Sequence, residues 1–74
     1  MRLRDIREDH DMTQNELAAL LHIRQNTLSQ YENGVREIPL ALLMQVALIF
    51  NTSTDYILEL TDLSAPYERS EKYK

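Results

Sequence analysis

The stretch from Thr13 to Gly34 most constrains the fold of this chain, because a tight turn there separates two short helical patterns. Apolar residues recur at helical spacing on one face of each pattern. They are Leu17, Ala18, Leu20 and Leu21 in the first, and Leu28 and Tyr31 in the second. Thr13 and Glu16 predict a capping box, in which each side chain accepts a hydrogen bond from the backbone amide of the other residue. The stretch therefore predicts two helices, the first beginning just after Thr13.

The outward face of the second helix is polar, and no acidic residue lies between Glu16 and Glu32. Its polar residues are Arg24, Gln25, Asn26, Ser29 and Gln30. Gln and Asn each offer a donor and an acceptor that match N6 and N7 of adenine, and Arg can donate two parallel hydrogen bonds to guanine. Any solvated helix face is polar, so composition alone leaves both interpretations open. The spacing favours base recognition, because positions 25, 26, 29 and 30 share one side near the N-terminal end, which helix-turn-helix proteins present to the major groove.

From about Leu3 to Leu60 the chain resembles the phage-repressor and Cro-like helix-turn-helix regulators, also called the XRE-like family. The resemblance is carried by LRDIRE, MTQNELAALL, the turn HI, RQNTLSQYENG and IPLALLMQVALIFNTSTDYILEL. It implies an all-α fold, a compact five-helix lambda-repressor-like domain whose third helix enters the major groove.

The resemblance also implies separate roles for the polar residues. Those expected to read bases are Gln25, Asn26 and Gln30, with Arg24 and Ser29 adding base or phosphate contacts. Those expected to fix the register on the DNA backbone are Gln14, Asn33 and Arg36. Phosphate contacts position a protein, whereas base contacts specify the sequence, so the two groups should respond differently to mutation.

Departures from the family pattern include His22, Arg24 and Val35. His22 stands at the turn where glycine is common, so it is expected to adopt a positive φ, which costs a non-glycine residue some energy. Arg24 replaces the usual Ser or Thr cap of the third helix and cannot accept from the amides there. Val35 replaces a common Lys or Arg, which removes one expected backbone contact.

Arg7 lies on the otherwise apolar stripe of the predicted first helix, residues 2–10, together with Leu3 and Ile6. A charge buried there requires a partner. In the resembling family the positions of Arg7 and Glu32 form an ion pair between the first and third helices. Two separately solvated charges are the alternative.

The net charge of −4 counts against a nucleic-acid ligand. Its distribution weakens the objection, because residues 1–7 hold three arginines against one aspartate, whereas residues 37–74 hold six acidic residues against three basic ones. The acidic residues lie mostly away from the predicted recognition helix, so weak non-specific binding to phosphates is expected.

Several classes of protein are disfavoured. The chain has no cysteine, and neither His10 nor His22 has a second ligand at metal spacing, so we expect no metal and no cofactor. The longest apolar run, residues 40–50, is about half of the roughly 20 residues that cross a bilayer, and no signal peptide is evident. A cytoplasmic protein without a membrane partner is expected. Seventy-four residues accommodate one modest core, and neither a nucleophile with a base nor a small-molecule pocket is evident, so we expect no enzyme.

Ile38 and Pro39 are expected to open a fourth helix, and Thr54 to Leu60 a fifth. The expected core stripe of the fourth helix is Leu40, Leu43, Met44, Ala47 and Phe50. Of its other apolar residues, Ala41, Leu42 and Leu48 are expected to point outward. A helix that is apolar all round requires cover on every side. We therefore expect a two-fold homodimer on a palindromic site; a folded-back tail, with Tyr67 or Tyr73 over this face, is the alternative.

Residues 1–62 are expected to form the helix-turn-helix domain and residues 63–74 a polar, flexible tail. The leading functional interpretation is a sequence-specific DNA-binding transcriptional regulator, most simply a repressor. The alternative is a protein-interaction module such as the antitoxin of a toxin–antitoxin pair.

Overall fold

A computed structural model describes residues 1–73 and contains five α-helices in that part of the chain. They are α1 (Leu3–Asp9), α2 (Gln14–Leu21), α3 (Gln25–Glu32), α4 (Leu40–Ile49) and α5 (Thr54–Ile57), followed by a 3₁₀ turn at Glu71–Tyr73. No strand occurs within residues 1–73. The predicted all-α, five-helix fold is confirmed.

One apolar core joins all five helices. Its side chains are Leu3 and Ile6 of α1, Leu17, Ala18 and Leu21 of α2, Leu28 and Tyr31 of α3, Leu43, Val46 and Ala47 of α4 with Phe50 after it, and Ile57 of α5. The largest fully buried ones are Leu3, Leu17, Leu28, Val46 and Ile57. Burial of each such side chain contributes about 1.5–3 kcal/mol, so the core holds α2 and α3 in a fixed relative position.

All five helices end in a Schellman motif, in which a residue of positive φ lets two amides turn back onto the last carbonyls. At the end of α2, for example, the amide of Ile23 donates to the Ala18 carbonyl at 3.0 Å and that of His22 to the Ala19 carbonyl at 3.2 Å. The residues of positive φ are Asp11 (54°), His22 (56°), Gly34 (73°), Asn51 (50°) and Glu59 (67°). The positive φ expected at His22 is confirmed. Glu59 also ends α5 at Ile57, three residues earlier than the sequence predicted.

The core stripe of α4 differs from the expectation at three positions. Met44 is only half-buried and is not part of the core, so its assignment to the stripe was wrong. Leu40 is 71% exposed, so its assignment to the core was wrong. It is the first residue of α4, where no preceding helical turn packs beside it, and Pro39 caps the helix rather than lying within it. Val46, which the sequence analysis did not select, is fully buried. The true stripe therefore runs at positions 43, 46, 47 and 50.

The other half of α4 faces outward. Leu42 is half-buried and packs against the core, so the expectation that it points outward was wrong. Ala41, Leu48 and Ile49 are exposed, together with Leu40. These four residues are called the α4 patch below. Within residues 1–73, no helix combines the length and the apolar character that crossing a membrane requires.

The segment after residue 63 contacts the end of α4. The Thr52 hydroxyl donates to the Ser64 carbonyl at 2.6 Å, and Arg69 Nη2 lies 3.1 Å from the Thr52 carbonyl and 3.3 Å from that of Ala47. These bonds attach the segment at separate points, and the flexibility expected for residues 63–74 stays a prediction.

Tyr67 covers the α4 patch only in part. Its hydroxyl donates to Asp55 Oδ2 at 2.8 Å, and its ring and Leu48 line one shared cleft of about 250 Å³. Tyr67 nevertheless stays 66% exposed and Leu48 42% exposed. The side chain of Tyr73, the other residue considered for this cover, lies outside the described residues, as does Lys74.

Candidate nucleic-acid interface

The start of α2 is fixed by the predicted capping box, which is confirmed. Thr13 Oγ1 accepts from the Glu16 amide at 3.1 Å, and the Thr13 amide donates to Glu16 Oε1 at 3.0 Å. These hydrogen bonds with the Thr13 backbone and hydroxyl lower the pKa of the Glu16 carboxyl. Residues 22–24 then reverse the chain, and Arg24 stands at the cap position of α3 in an extended conformation without a side-chain cap bond.

The solvent side of α3 carries the residues predicted to read bases. Leu28 and Tyr31 bury the opposite side in the core. Among the predicted residues, the exposed ones are Arg24, Gln25, Asn26 and Gln30, and Ser29 is half-buried. The structure therefore brings all five together in the first two turns of α3 and at its cap.

The structure also places Arg7 against Glu32. Arg7 Nε lies 2.7 Å from Glu32 Oε2 and Nη2 lies 3.1 Å from Oε1, a bidentate contact, while Nη1 donates to the Met12 carbonyl at 2.9 Å. The Glu32 side chain is fully buried and that of Arg7 is 11% exposed. The pair thus fastens α1 to the C-terminal end of α3.

This geometry shifts the pKa values of Glu32 and Arg7. Burial raises the pKa of the Glu32 carboxyl, but hydrogen bonds from Arg7 and Gln14 and the charges of Arg7 and Arg4 outweigh it, and the net pKa lies below its usual value near 4.5. The hydrogen bond to Glu32 raises the pKa of Arg7. Both groups are therefore charged at neutral pH.

A chain of hydrogen bonds connects this pair to the solvent side of α3. Gln14 Nε2 donates to Glu32 Oε1 at 3.0 Å, and Gln25 Nε2 donates to Gln14 Oε1 at 2.6 Å. An ionised carboxylate only accepts hydrogen bonds, so the Nε2 end of the Gln14 amide must face Glu32. The Oε1 end of Gln14 then faces Gln25, and because this oxygen only accepts, Gln25 meets it with Nε2. Gln25 retains its Oε1 acceptor and one N–H donor, the two groups that adenine recognition requires.

The residues predicted to contact the DNA backbone lie around both ends of α3. Gln14 lies beside its first turn, through the bond to Gln25. Asn33 and Arg36 follow its last turn and are exposed, and the Arg36 guanidinium carbon is 5.8 Å from the Tyr31 ring centroid. The three residues therefore lie on either side of the residues predicted to read bases.

Sequence analysis missed Arg4. Its Nη2 donates to Asn33 Oδ1, and its Nε lies 3.6 Å from Glu32 Oε1. The available signal was its spacing, because a residue three positions before Arg7 lies on the same side of α1. Among residues 1–73, no group of three potential ligands stands close enough to hold a metal ion.

Comparison with known proteins gives one family and several relatives. A family model described as helix-turn-helix matches residues 3–57. ImmR of Bacillus subtilis strain 168, an HTH-type transcriptional regulator, is 36% identical over 67 residues, which cover 90% of this chain and 53% of ImmR. YobD of the same organism, an uncharacterized HTH-type transcriptional regulator, is 38% identical over 61 residues, covering 82% of this chain and 54% of YobD.

The antitoxin PezA of Streptococcus pneumoniae is 37% identical over 51 residues, covering 69% of this chain and 32% of PezA. The chain thus spans about half the length of ImmR and YobD, and less of PezA. No solved structure matches it significantly.

Proposed function

This chain belongs to the XRE-like helix-turn-helix family, and from that premise we propose that it is a sequence-specific DNA-binding transcriptional regulator, most simply a repressor. The α3 helix enters the major groove and reads bases with Gln25, Asn26 and Gln30, helped by Arg24 and Ser29. Its activity is binding, without a chemical step. The proposed ligand is double-stranded DNA, which in a bacterial cell lies in the cytoplasm. The proposal therefore implies a cytoplasmic localisation.

The orientation of the Gln25 amide is the observation that supports this proposal best. A surface glutamine ordinarily samples many rotamers and loses that freedom when it binds a base. Gln25 is already held by Gln14, which is held by the buried carboxylate of Glu32. Pre-organisation of this kind reduces the entropic cost of binding, and a helix face that is merely solvated has no need of it.

The backbone contacts complete the interface. Gln14, Asn33 and Arg36 flank the base-reading residues, so they are positioned to meet the two phosphate strands that border the groove. The acidic net charge keeps binding to random DNA weak, because few phosphates are neutralised. Affinity therefore depends on the specific contacts.

We further propose that the regulator is a two-fold homodimer on a palindromic operator. The α4 patch exposes four apolar residues on one side of a helix, and Tyr67 covers it only in part. Apolar patches rimmed by polar residues mark interaction sites, and a two-fold axis buries one patch against its copy. The two α3 helices then stand about 34 Å apart, one turn of DNA, as this kind of docking requires.

Selection of bound duplexes from a random library tests the proposal. We expect a palindromic consensus to emerge. Gln25→Ala should then lose about 1–3 kcal/mol of binding free energy at one base pair and relax the preference there. Arg36→Ala is the contrast, because loss of a phosphate contact should weaken binding to every sequence alike and reduce the salt dependence. A protein that enriches no sequence is not the regulator proposed here.

The similarity to PezA favours a second candidate, a DNA-binding antitoxin that also binds a protein partner. Here the α4 patch meets a different protein instead of a second copy of the chain. A monomeric protein that forms a stable complex with the product of a neighbouring gene would support this candidate over the homodimer.

A further inference from the structure

We propose that Arg4 is a positioning residue of the DNA interface: it orients the Asn33 amide, and through it leaves the Ser29 hydroxyl as a hydrogen-bond donor towards the bases. The inference rests on the proposed function, because it assigns a specificity to the same α3 surface. It concerns a residue of α1, an element that carries no predicted base-reading residue.

Arg4 reaches α3 from the side of the buried ion pair. Its Nη2 donates to Asn33 Oδ1 and its Nε lies 3.6 Å from Glu32 Oε1, while half of its side chain, 48%, stays exposed. Two acceptors on neighbouring residues therefore hold the guanidinium at the C-terminal end of α3. The Glu32 carboxylate in turn is fixed by Arg7, so Arg4 is placed by the buried pair rather than by solvent.

The chemistry of Arg4 determines which end of the Asn33 amide it meets. A guanidinium has donors only, so it must face the carbonyl oxygen of the amide, and the reversed amide would set N–H against N–H. The Asn33 Nδ2 then points to Ser29 Oγ, at 3.3 Å. One hydrogen on Nδ2 remains for a phosphate oxygen, as the role proposed for Asn33 requires.

The orientation of Asn33 determines in turn what Ser29 offers. A helical serine often donates its hydroxyl hydrogen to the carbonyl four residues earlier. Among residues 1–73 the structure gives the Ser29 hydroxyl one hydrogen bond, and it is the acceptor in that bond. Its hydrogen is therefore left to donate outward.

The Ser29 hydrogen can be donated to the acceptors that guanine, adenine and thymine present in the major groove, at N7 or O6, at N7, and at O4. The contact that Ser29 makes with a base therefore depends on where its hydrogen points. We infer that the base preference opposite Ser29 depends on Arg4, although Arg4 does not touch the base.

Binding measurements separate this role from a simple phosphate contact. On the selected operator, Arg4→Ala should lower affinity about tenfold and relax the base preference at the same base pair that Ser29→Ala relaxes. The double variant Arg4→Ala/Asn33→Ala should lose no more affinity than the worse of the two single variants, because both break one chain of contacts. Arg4→Met, which keeps much of the side-chain length but removes every donor, should relax the base preference as Arg4→Ala does.

Two results would overturn the proposal. One is a uniform loss for Arg4→Ala on all sequences, as expected for Arg36→Ala, with additive losses in the double variant. The other is an unchanged base preference in Arg4→Met, which has no donor for Asn33 Oδ1. Thermal unfolding of each variant shows whether a loss of affinity comes from loss of the fold.

A second measurement needs no DNA and so separates failure of this inference from failure of the proposed function. In NMR spectra of the free protein, Arg4→Ala should shift the side-chain amide resonances of Asn33 and release them from their single orientation. Unchanged Asn33 resonances would refute the positioning role, whatever the protein binds. If Asn33 responds but the library yields no consensus, the proposed function fails and the contact stands.

Discussion

Helices α3 and α4 are neighbours in the chain, and their outward faces have opposite character. Both bury one side in the same core. On α3 the outward side is polar. Gln25 is held through Gln14 by hydrogen bonds that lead to Glu32, and Ser29 and the adjoining Asn33 are held through Arg4, whose Nε lies 3.6 Å from Glu32 Oε1. On α4 the outward side is apolar except for one glutamine, and Tyr67 covers it incompletely.

The difference shows two ways in which a small domain can prepare a surface for a partner. Polar groups bind well only if they are oriented beforehand, so α3 depends on a buried charge pair that costs desolvation energy and fixes the amides next to it. Apolar groups need no orientation, so the α4 patch requires only exposure and shape. Mutations should therefore act on α3 through distant residues, and on α4 through the patch itself.

The largest expected effect comes from Arg7→Ala, which removes the charge partner of Glu32, the residue to which the hydrogen bonds from Gln25 and Gln14 lead. It should lower the free energy of unfolding by about 3 kcal/mol, because the buried Glu32 carboxylate loses its charge partner. Urea unfolding measures the loss. A double change of Arg7 and Glu32 to Met and Leu should cost less, since it removes both charges. Arg36→Ala, at an exposed arginine, is the control; an equally small effect of Arg7→Ala would mean that the pair is solvated.

Next in size is Leu48→Glu, which attacks the α4 patch. The variant should fold but sediment as a monomer, because a carboxylate cannot be buried against its own copy. Because the monomer has only one α3 helix to place on the operator, its binding should be about 100-fold weaker. Leu60→Glu, at an exposed leucine outside α4, should leave both properties unchanged. If the unmodified protein is already a monomer at high micromolar concentration, and Leu48→Glu binds DNA normally, the dimer is wrong.

A smaller loss of stability should appear in acid. The folded-state pKa of Glu32 is lowered, so its contribution to stability is fully present above the usual pKa near 4.5 and disappears as the pH falls through the folded-state pKa. Unfolding free energies measured downward from pH 5 should therefore decrease, and decrease less steeply in Glu32→Gln. Glu8→Gln, which removes an exposed carboxyl of α1, serves as the control. Parallel pH profiles for unmodified protein and Glu32→Gln would contradict the assignment.

The smallest effects concern the ends of the two helices. Both end in a Schellman motif, α3 with Gly34 and α4 with Asn51. Gly34→Ala should destabilise by about 1 kcal/mol through backbone strain alone, because a Cβ there would contact nothing within 4 Å. Asn51→Gly should stabilise by less than about 1 kcal/mol, since asparagine already tolerates this conformation. Thermal unfolding resolves both signs, and a stabilising Gly34→Ala would refute the strain argument.

Local features of the fold were predictable because their determinants lie a few residues apart. The capping box needs only Thr13 and Glu16, and the positive φ at His22 follows from its place between two helical patterns. The side of α4 that is buried was predicted less well. Every residue of α4 except Gln45 is apolar, so hydrophobicity does not distinguish Leu40 from Val46, and the docking of α4 on its neighbours decides.

The sequence by itself determined the all-α class, the helix-turn-helix stretch, the polar outward side of α3 and the apolar character of α4, because helical periodicity and capping act over one or two turns. Only the tertiary structure decided which amide ends the surface of α3 presents to solvent. The contacts that fix them join residues far apart in the chain, Arg4 to Asn33 and Gln14 to Glu32, and their directions follow from which partner can only donate and which can only accept. Such contacts form only after the core has set the positions of α1, α2 and α3, and no local pattern encodes that geometry.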